Sequence, residues 1–151
     1  MLRLSRLTDY AVMLMTGMAA GERRVHTAVD VATATGVPTP TVSKLLATLA
    51  RHGLLISHRG AKGGYSLARS AACISIAEII AAVEGPIALT HCIEHGTGNC
   101  DVESLCPSRS ALQRLNQVVQ RALGDVTLAE LMPMPPPVLS KPRRESALAS
   151  N

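Results

Sequence analysis

The 151-residue chain carries 15 Lys/Arg against 11 Asp/Glu, a formal net charge of +4, with 47 % hydrophobic residues, two Tyr and neither Phe nor Trp. That length suits one compact domain with an added helix or tail, and a core drawn from Leu, Ile, Val, Met and Ala favours helices. No apolar run approaches a membrane span, and Asp9 and Tyr10 interrupt the apolar N-terminal stretch, so a membrane anchor and a secretory leader are both unexpected and the chain reads as cytoplasmic.

Ser5 to Ala20 reads as a helix, with Leu7, Ala11, Leu14, Met15 and Met18 at helical spacing, Thr8 or Ser5 as cap, Asp9 on the first turn and Gly21 as the stop. Thr27 caps a second helix over Ala28–Thr35, closed by Gly36. A third follows at once, with Thr39 as N-cap, Pro40 at the first helical position, and Val42, Leu45, Leu46 and Leu49 as its apolar face before Gly53. Two short helices joined by a tight Gly-containing turn make a helix-turn-helix.

Leu54 to Arg59 and Tyr65 to Leu67 flank the glycine-rich turn GAKGG and read as a β-hairpin, which completes a winged helix. Ser75-Ile76-Ala77-Glu78 is a capping box opening a helix to about Glu84, ended by Gly85-Pro86. After Cys106-Pro107, Ser108 is placed to cap a long helix to about Leu123, with Leu112, Leu115, Val118, Val119 and Ala122 as one apolar stripe. Thr127 to Glu130 repeats the capping-box pattern. From Met132 the chain has five prolines in twenty residues and no apolar period, which predicts disorder.

The expected fold is therefore mainly α with a small β-hairpin wing: a winged helix-turn-helix plus a long C-terminal dimerisation helix. The expected organisation is a DNA-binding domain at 1–70, a linker helix and cysteine loop at 71–107, a dimerisation helix and short terminal helix at 108–131, and a tail at 132–151.

Charge is uneven along this plan. Residues 1–69 hold nine Lys/Arg against three Asp/Glu, while residues 70–132 hold three against seven. A basic front half points to a polyanion as partner. In a helix-turn-helix the start of the second helix meets base edges, which nominates Thr39, Thr41, Ser43 and Lys44. At the wing, Arg59 and Lys62 supply charge where glycines allow close approach to phosphate or entry to a narrow minor groove. The plainer reading is that Thr39 only caps and Thr41 only faces solvent.

The second constellation is His91 to Cys106, HCIEHGTGNCDVESLC, with the spacing Cys92-x7-Cys100-x5-Cys106. Converging thiolates suit zinc, copper(I) or an iron–sulfur cluster. Cys73, in the apolar setting AACISI, reads as a buried small hydrophobe. No P-loop, G-x-S-x-G or H-E-x-x-H motif is present, so an enzyme is not expected, nor is a small-molecule substrate.

RLTDYAVMLM at 6–15, VSKLLATLARHGLL at 42–55, RGAKGGYSLAR at 59–69, SIAEIIAAVEGPI at 75–87 and the three-cysteine loop resemble the iron–sulfur-dependent winged-helix repressors typified by IscR and NsrR. Within that family, EGPIALTHC and VTLAEL are most similar to the branch regulating the SUF iron–sulfur assembly system. The resemblance covers about residues 1–131. It implies a homodimer on a palindromic double-stranded DNA operator, and a 2Fe–2S or 4Fe–4S cluster on Cys92, Cys100 and Cys106.

The IscR type places a His three residues past the third cysteine, where this chain has Arg109. The NsrR type takes an Asp from the partner's first helix, which carries over to Asp9. His91, His95, Glu103 and a small thiol or water are the rival fourth ligands. Two other readings stay open: a nitric-oxide- or redox-responsive repressor of the same family, and a DNA-binding protein with a structural zinc site.

Overall fold

The structure, a computed structural model, describes residues 3–21, 25–61, 63–90, 93 and 105–132. Helix α1 (Arg6–Ala20) starts where Ser5, in extended backbone, accepts a hydrogen bond from the Thr8 amide. It buries Thr8, Ala11, Leu14, Met15 and Met18, whereas Leu7 lies outside on the exposed side. Helix α2 (Ala28–Thr35) opens with a capping box between Thr27 and Asp30 and closes at Gly36, whose φ of 74° is a left-handed conformation that glycine takes without strain.

Helix α3 (Thr39–Arg51) begins one residue earlier than its sequence suggests. Pro38, not Thr39, occupies the cap position, and its carbonyl accepts from both Thr41 and Val42 at 2.9 and 3.1 Å. Thr39 is therefore inside the helix and its hydroxyl has no capping task. Val42, Leu45, Leu46 and Leu49 form the buried face, as their spacing predicts.

Strands β1 (Leu55–His58) and β2 (Gly64–Leu67) pair antiparallel, with Leu55 opposite Leu67 and His58 opposite Gly64. The hairpin is also tied to the α1–α2 connection. His26 and Tyr65 exchange two backbone hydrogen bonds of 2.8 Å, and a Cβ on Gly64 would sit 2.5 Å from the His26 carbonyl oxygen. Glycine at 64 lets the two backbones approach this closely.

A 3₁₀ turn (Ala71–Cys73) leads to α4 (Ile76–Glu84), which has the expected Ser75–Glu78 capping box. The turn corrects one expectation: Cys73 is exposed, because Ile74 takes the fully buried position beside it while the short turn directs Cys73 outward. Helix α5 (Arg109–Asp125) packs on α4 and ends two residues beyond the expected stop; Ser108 precedes it without a side-chain cap. The chain then returns to the body. Leu128, in a final 3₁₀ turn (Leu128–Leu131), is fully buried, and Thr127 pairs with Ser75 as an isolated bridge.

One apolar cluster joins α1, α2, α3, the start of β1, α4 and Leu128. Among the described residues no helix is long and apolar enough to cross a membrane. The stretch from Met132, expected to be disordered, lies outside the described residues beyond Met132 itself.

Candidate nucleic-acid interface and cysteine loop

Because α3 buries Val42, Leu45, Leu46 and Leu49, its opposite face is set by helical geometry. Thr39, Ser43, Lys44, Ala47 and Arg51 are exposed, and Thr41 and Thr48 are half-buried. All four candidates on this helix are thus accessible, with Thr41 the most hidden. Sequence reasoning missed Arg51, one helical turn past Ala47 on the same exposed side. Its Nη2 donates to the Thr48 hydroxyl at 3.0 Å, which holds the guanidinium along the helix rather than free in solvent.

Arg59 is exposed at the start of the wing turn. Gly63 closes that turn by donating to the Gly60 carbonyl at 2.9 Å, and a Cβ on Gly63 would meet the His58 carbonyl oxygen at 2.5 Å. The tight turn keeps Arg59 next to the strand end. His58 Nε2 and Ser66 Oγ hydrogen-bond across the hairpin at 2.8 Å. Lys62 lies outside the described residues.

Of the predicted metal ligands, Cys92 and Cys100 also lie outside the described residues, as do His91, His95 and Glu103. Cys106 is a free, half-buried thiol just before α5, and its carbonyl accepts from the Arg109 amide at 3.4 Å. Asp9 is exposed on the first turn of α1. It lines an open crevice of about 650 Å³ with Arg3, Leu4, Ser5, Arg6 and Glu84. Soft thiol donors at 92, 100 and 106 fit a zinc ion or an iron–sulfur cluster equally well in kind.

Glu84 is the second residue that sequence reasoning missed. It ends α4, where a carboxylate opposes the helix dipole. That mismatch was the available signal that something else compensates it. The compensation comes from α1: Glu84 Oε1 accepts from the Ser5 amide at 2.8 Å and from the buried Thr8 hydroxyl. The Thr8 hydroxyl, then the Ser5 amide, hold the Glu84 carboxyl below its ordinary value. The end of α4 and the start of α1 are thereby clasped together.

The apolar stripe expected on α5 divides in two. Leu112, Val119 and Leu123 turn inward, half-buried, whereas Leu115 and Val118 remain 50 % and 60 % exposed, flanked by exposed Ala111 and Ala122. Near the middle of the inward face sits Asn116, buried to 3 % exposure. Its Oδ1 accepts from the Leu89 amide at 3.0 Å and its Nδ2 donates to the Ile87 carbonyl at 3.1 Å.

A family model described as "Rrf2: Iron-dependent Transcriptional regulator" matches residues 4–134. The chain belongs to the Rrf2 family. The HTH-type transcriptional regulator IscR of Vibrio atlanticus is 30 % identical over 132 residues, covering 87 % of this chain and 75 % of that one. Among solved structures, T. potens IscR superposes with a TM-score of 0.61 at 29 % identity, covering 85 % of each chain. CymR, titled the global cysteine regulator of B. subtilis, superposes with a TM-score of 0.65 at 24 % identity, covering 87 % of this chain and 96 % of that one, and so attests the fold alone.

As an Rrf2 protein with a winged helix-turn-helix, the chain is a DNA-binding transcriptional regulator and not an enzyme. The α3 face and the wing are the elements that such a fold presents to DNA.

Proposed function

We propose that this Rrf2-family regulator is a homodimeric, cytoplasmic repressor of iron–sulfur cluster assembly genes of the SUF type, and that its grip on a palindromic operator depends on an iron–sulfur cluster. Thr39, Thr41, Ser43 and Lys44 would meet the major groove, and Arg59 and Lys62 the backbone or minor groove. Cys92, Cys100 and Cys106 would hold a 2Fe–2S or 4Fe–4S cluster, with the partner subunit's Asp9 as fourth ligand. When bound, the cluster supplies a site that oxidants, nitric oxide or cluster scarcity can remove.

One arrangement supports this reading: α5 adjoins the loop on its inward side and bares apolar side chains on its outward side. Inward, it holds Ile87 and Leu89 through Asn116 and begins at Arg109, three residues after Cys106; outward, it bares Leu115 and Val118. A change in the loop therefore acts on the same helix that would set the separation of two recognition helices. Asp9 is exposed in an open crevice at the start of α1, where a ligand role toward a partner's cluster would require it. Cys106, three residues before α5, would as a thiolate ligand place negative charge near a helix start, the sign that a helix start favours.

The test is metal analysis of protein purified without oxygen, read with its visible absorption and with operator binding before and after cluster removal. Iron and acid-labile sulfide in near-equal amounts, with operator affinity that changes on cluster loss, is the expected result. Zinc without sulfide would make the loop structural and end the sensing proposal.

A further inference from the structure

We propose that Asn116 is a positioning residue for the cysteine loop: it locks the backbone of Ile87–Leu89, which leads to Cys92, onto the helix that follows Cys106. The proposal rests on the cluster reading above. Buried polar side chains are retained where their hydrogen bonds are met, and among the described residues Asn116 and Thr8 are the buried polar ones. Thr8 serves the clasp to Glu84. Asn116 has no such role in joining helices; both its bonds go to the main chain of one short segment.

The chemistry of that contact is specific. Ile87 offers a carbonyl and Leu89 an amide, two residues apart, as an edge strand does to its neighbour. One carboxamide supplies the matching donor and acceptor at a single point; a carboxylate has no donor and a leucine has neither. Gln120, one turn further along α5, donates to the same Ile87 carbonyl at 2.9 Å. The segment cannot be held by continuing α4, because Gly85, with φ of 91°, and Pro86 end that helix.

Direction matters as well. Ile87 is tied at Asn116 and Gln120, and Leu89 at Asn116 alone, so the chain runs along α5 toward its N-terminal end. Cys106 lies at that end. Asn116 is about two helical turns, or ~10 Å, from the first residue of α5. Leu89 and Cys106, the described flanks of the loop, thus both adjoin one helix, and Asn116 fixes the backbone three residues before Cys92.

The experiment uses full-length protein prepared without oxygen, with Asn116→Leu beside wild type. Asn116→Leu keeps the side-chain size while removing both backbone bonds. The expected result is cluster loss to an iron chelator about tenfold faster, the lower range for losing a residue that orients metal ligands, with an altered visible circular dichroism spectrum and unchanged dimer mass. Gln120→Leu gives a smaller change in the same direction. An Asn116→Leu protein with wild-type spectrum and loss rate overturns the proposal.

Amide hydrogen exchange on cluster-free wild type reads the contact without any variant. The Leu89 amide exchanges more slowly than that of Ala88, and equal exchange overturns the proposal even if Asn116→Leu fails to fold. Wild type that holds no cluster would instead sink the cluster reading, while the exchange result would still report on the Asn116 contact.

Discussion

The body formed by α1 to α4 and the arm formed by α5 are built by opposite rules. The body buries aliphatic side chains on every helix, with Leu14, Met15, Leu46, Leu49 and Ile79 fully enclosed. On α5 the fully buried residue is a polar one, Asn116, and two large apolar side chains face outward. A helix of the second kind joins the body through a half-buried apolar side and a few directed hydrogen bonds, and leaves an apolar face that water disfavours. The lesson is that the body rests on shared apolar burial, completed by Leu128 from beyond α5, while the arm combines a polar anchor with an uncovered apolar face.

Breaking the body should have the largest effect. Leu46→Ala is expected to cost about 2–5 kcal/mol, the range for truncating an enclosed leucine, measured by denaturant unfolding. Breaking the arm's outward face should spare the fold and remove the assembly. Leu115→Glu with Val118→Glu is expected to shift sedimentation from dimer to monomer with the helical signal retained. Operator affinity should fall tenfold or more, about 1.4 kcal/mol; a mutant that remains dimeric would show that the bared face of α5 is not the contact.

Next in size is the wing. Arg59→Ala should weaken operator binding at every sequence tested and lower its salt dependence by about one counterion. Unchanged titrations would confine recognition to α3.

The smallest effect sharpens the comparison at the clasp between α1 and α4. The Glu84 carboxyl is held below its ordinary value of 4.5. Its contribution to stability is therefore complete above that pH and is lost as pH falls through the lowered folded value. Glu84→Gln keeps an acceptor for Ser5 and Thr8 without the charge. Its stability deficit against wild type should shrink as the pH is taken below about 4.5, and a deficit independent of pH would mean that the charge plays no part.

Much of the body is legible in the sequence. The i, i+3, i+4, i+7 spacing of Val42, Leu45, Leu46 and Leu49 names the buried face of α3, and with it the exposed one. The cap at Thr27 and the capping box at Ser75 mark two helix starts, because their bonds span three residues and depend on nothing distant. Where a local signal competed with a neighbour, it misled. Pro38 displaced Thr39 from the cap, and Ile74 took the interior position that the apolar setting suggested for Cys73.

The arm was less legible. An amphipathic stripe reports that a helix has an apolar side, but Leu112, Leu115, Val118 and Val119 together span more than one face. Only packing against α4 divides them into inward and outward sets. Asn116 reads in sequence as a polar interruption of that stripe. Its meaning appears when Ile87 and Leu89, 29 and 27 residues away, arrive beside it.

By itself, then, the sequence determined the helices, the wing, the buried face of α3 and the set of thiols, since periodicity, capping and residue chemistry are properties of short stretches. The tertiary structure alone decided that Glu84 joins α4 to α1, that Asn116 anchors the approach to the cysteines, and which side of α5 is left bare. Those depend on contacts between distant residues, whose partners no local pattern names.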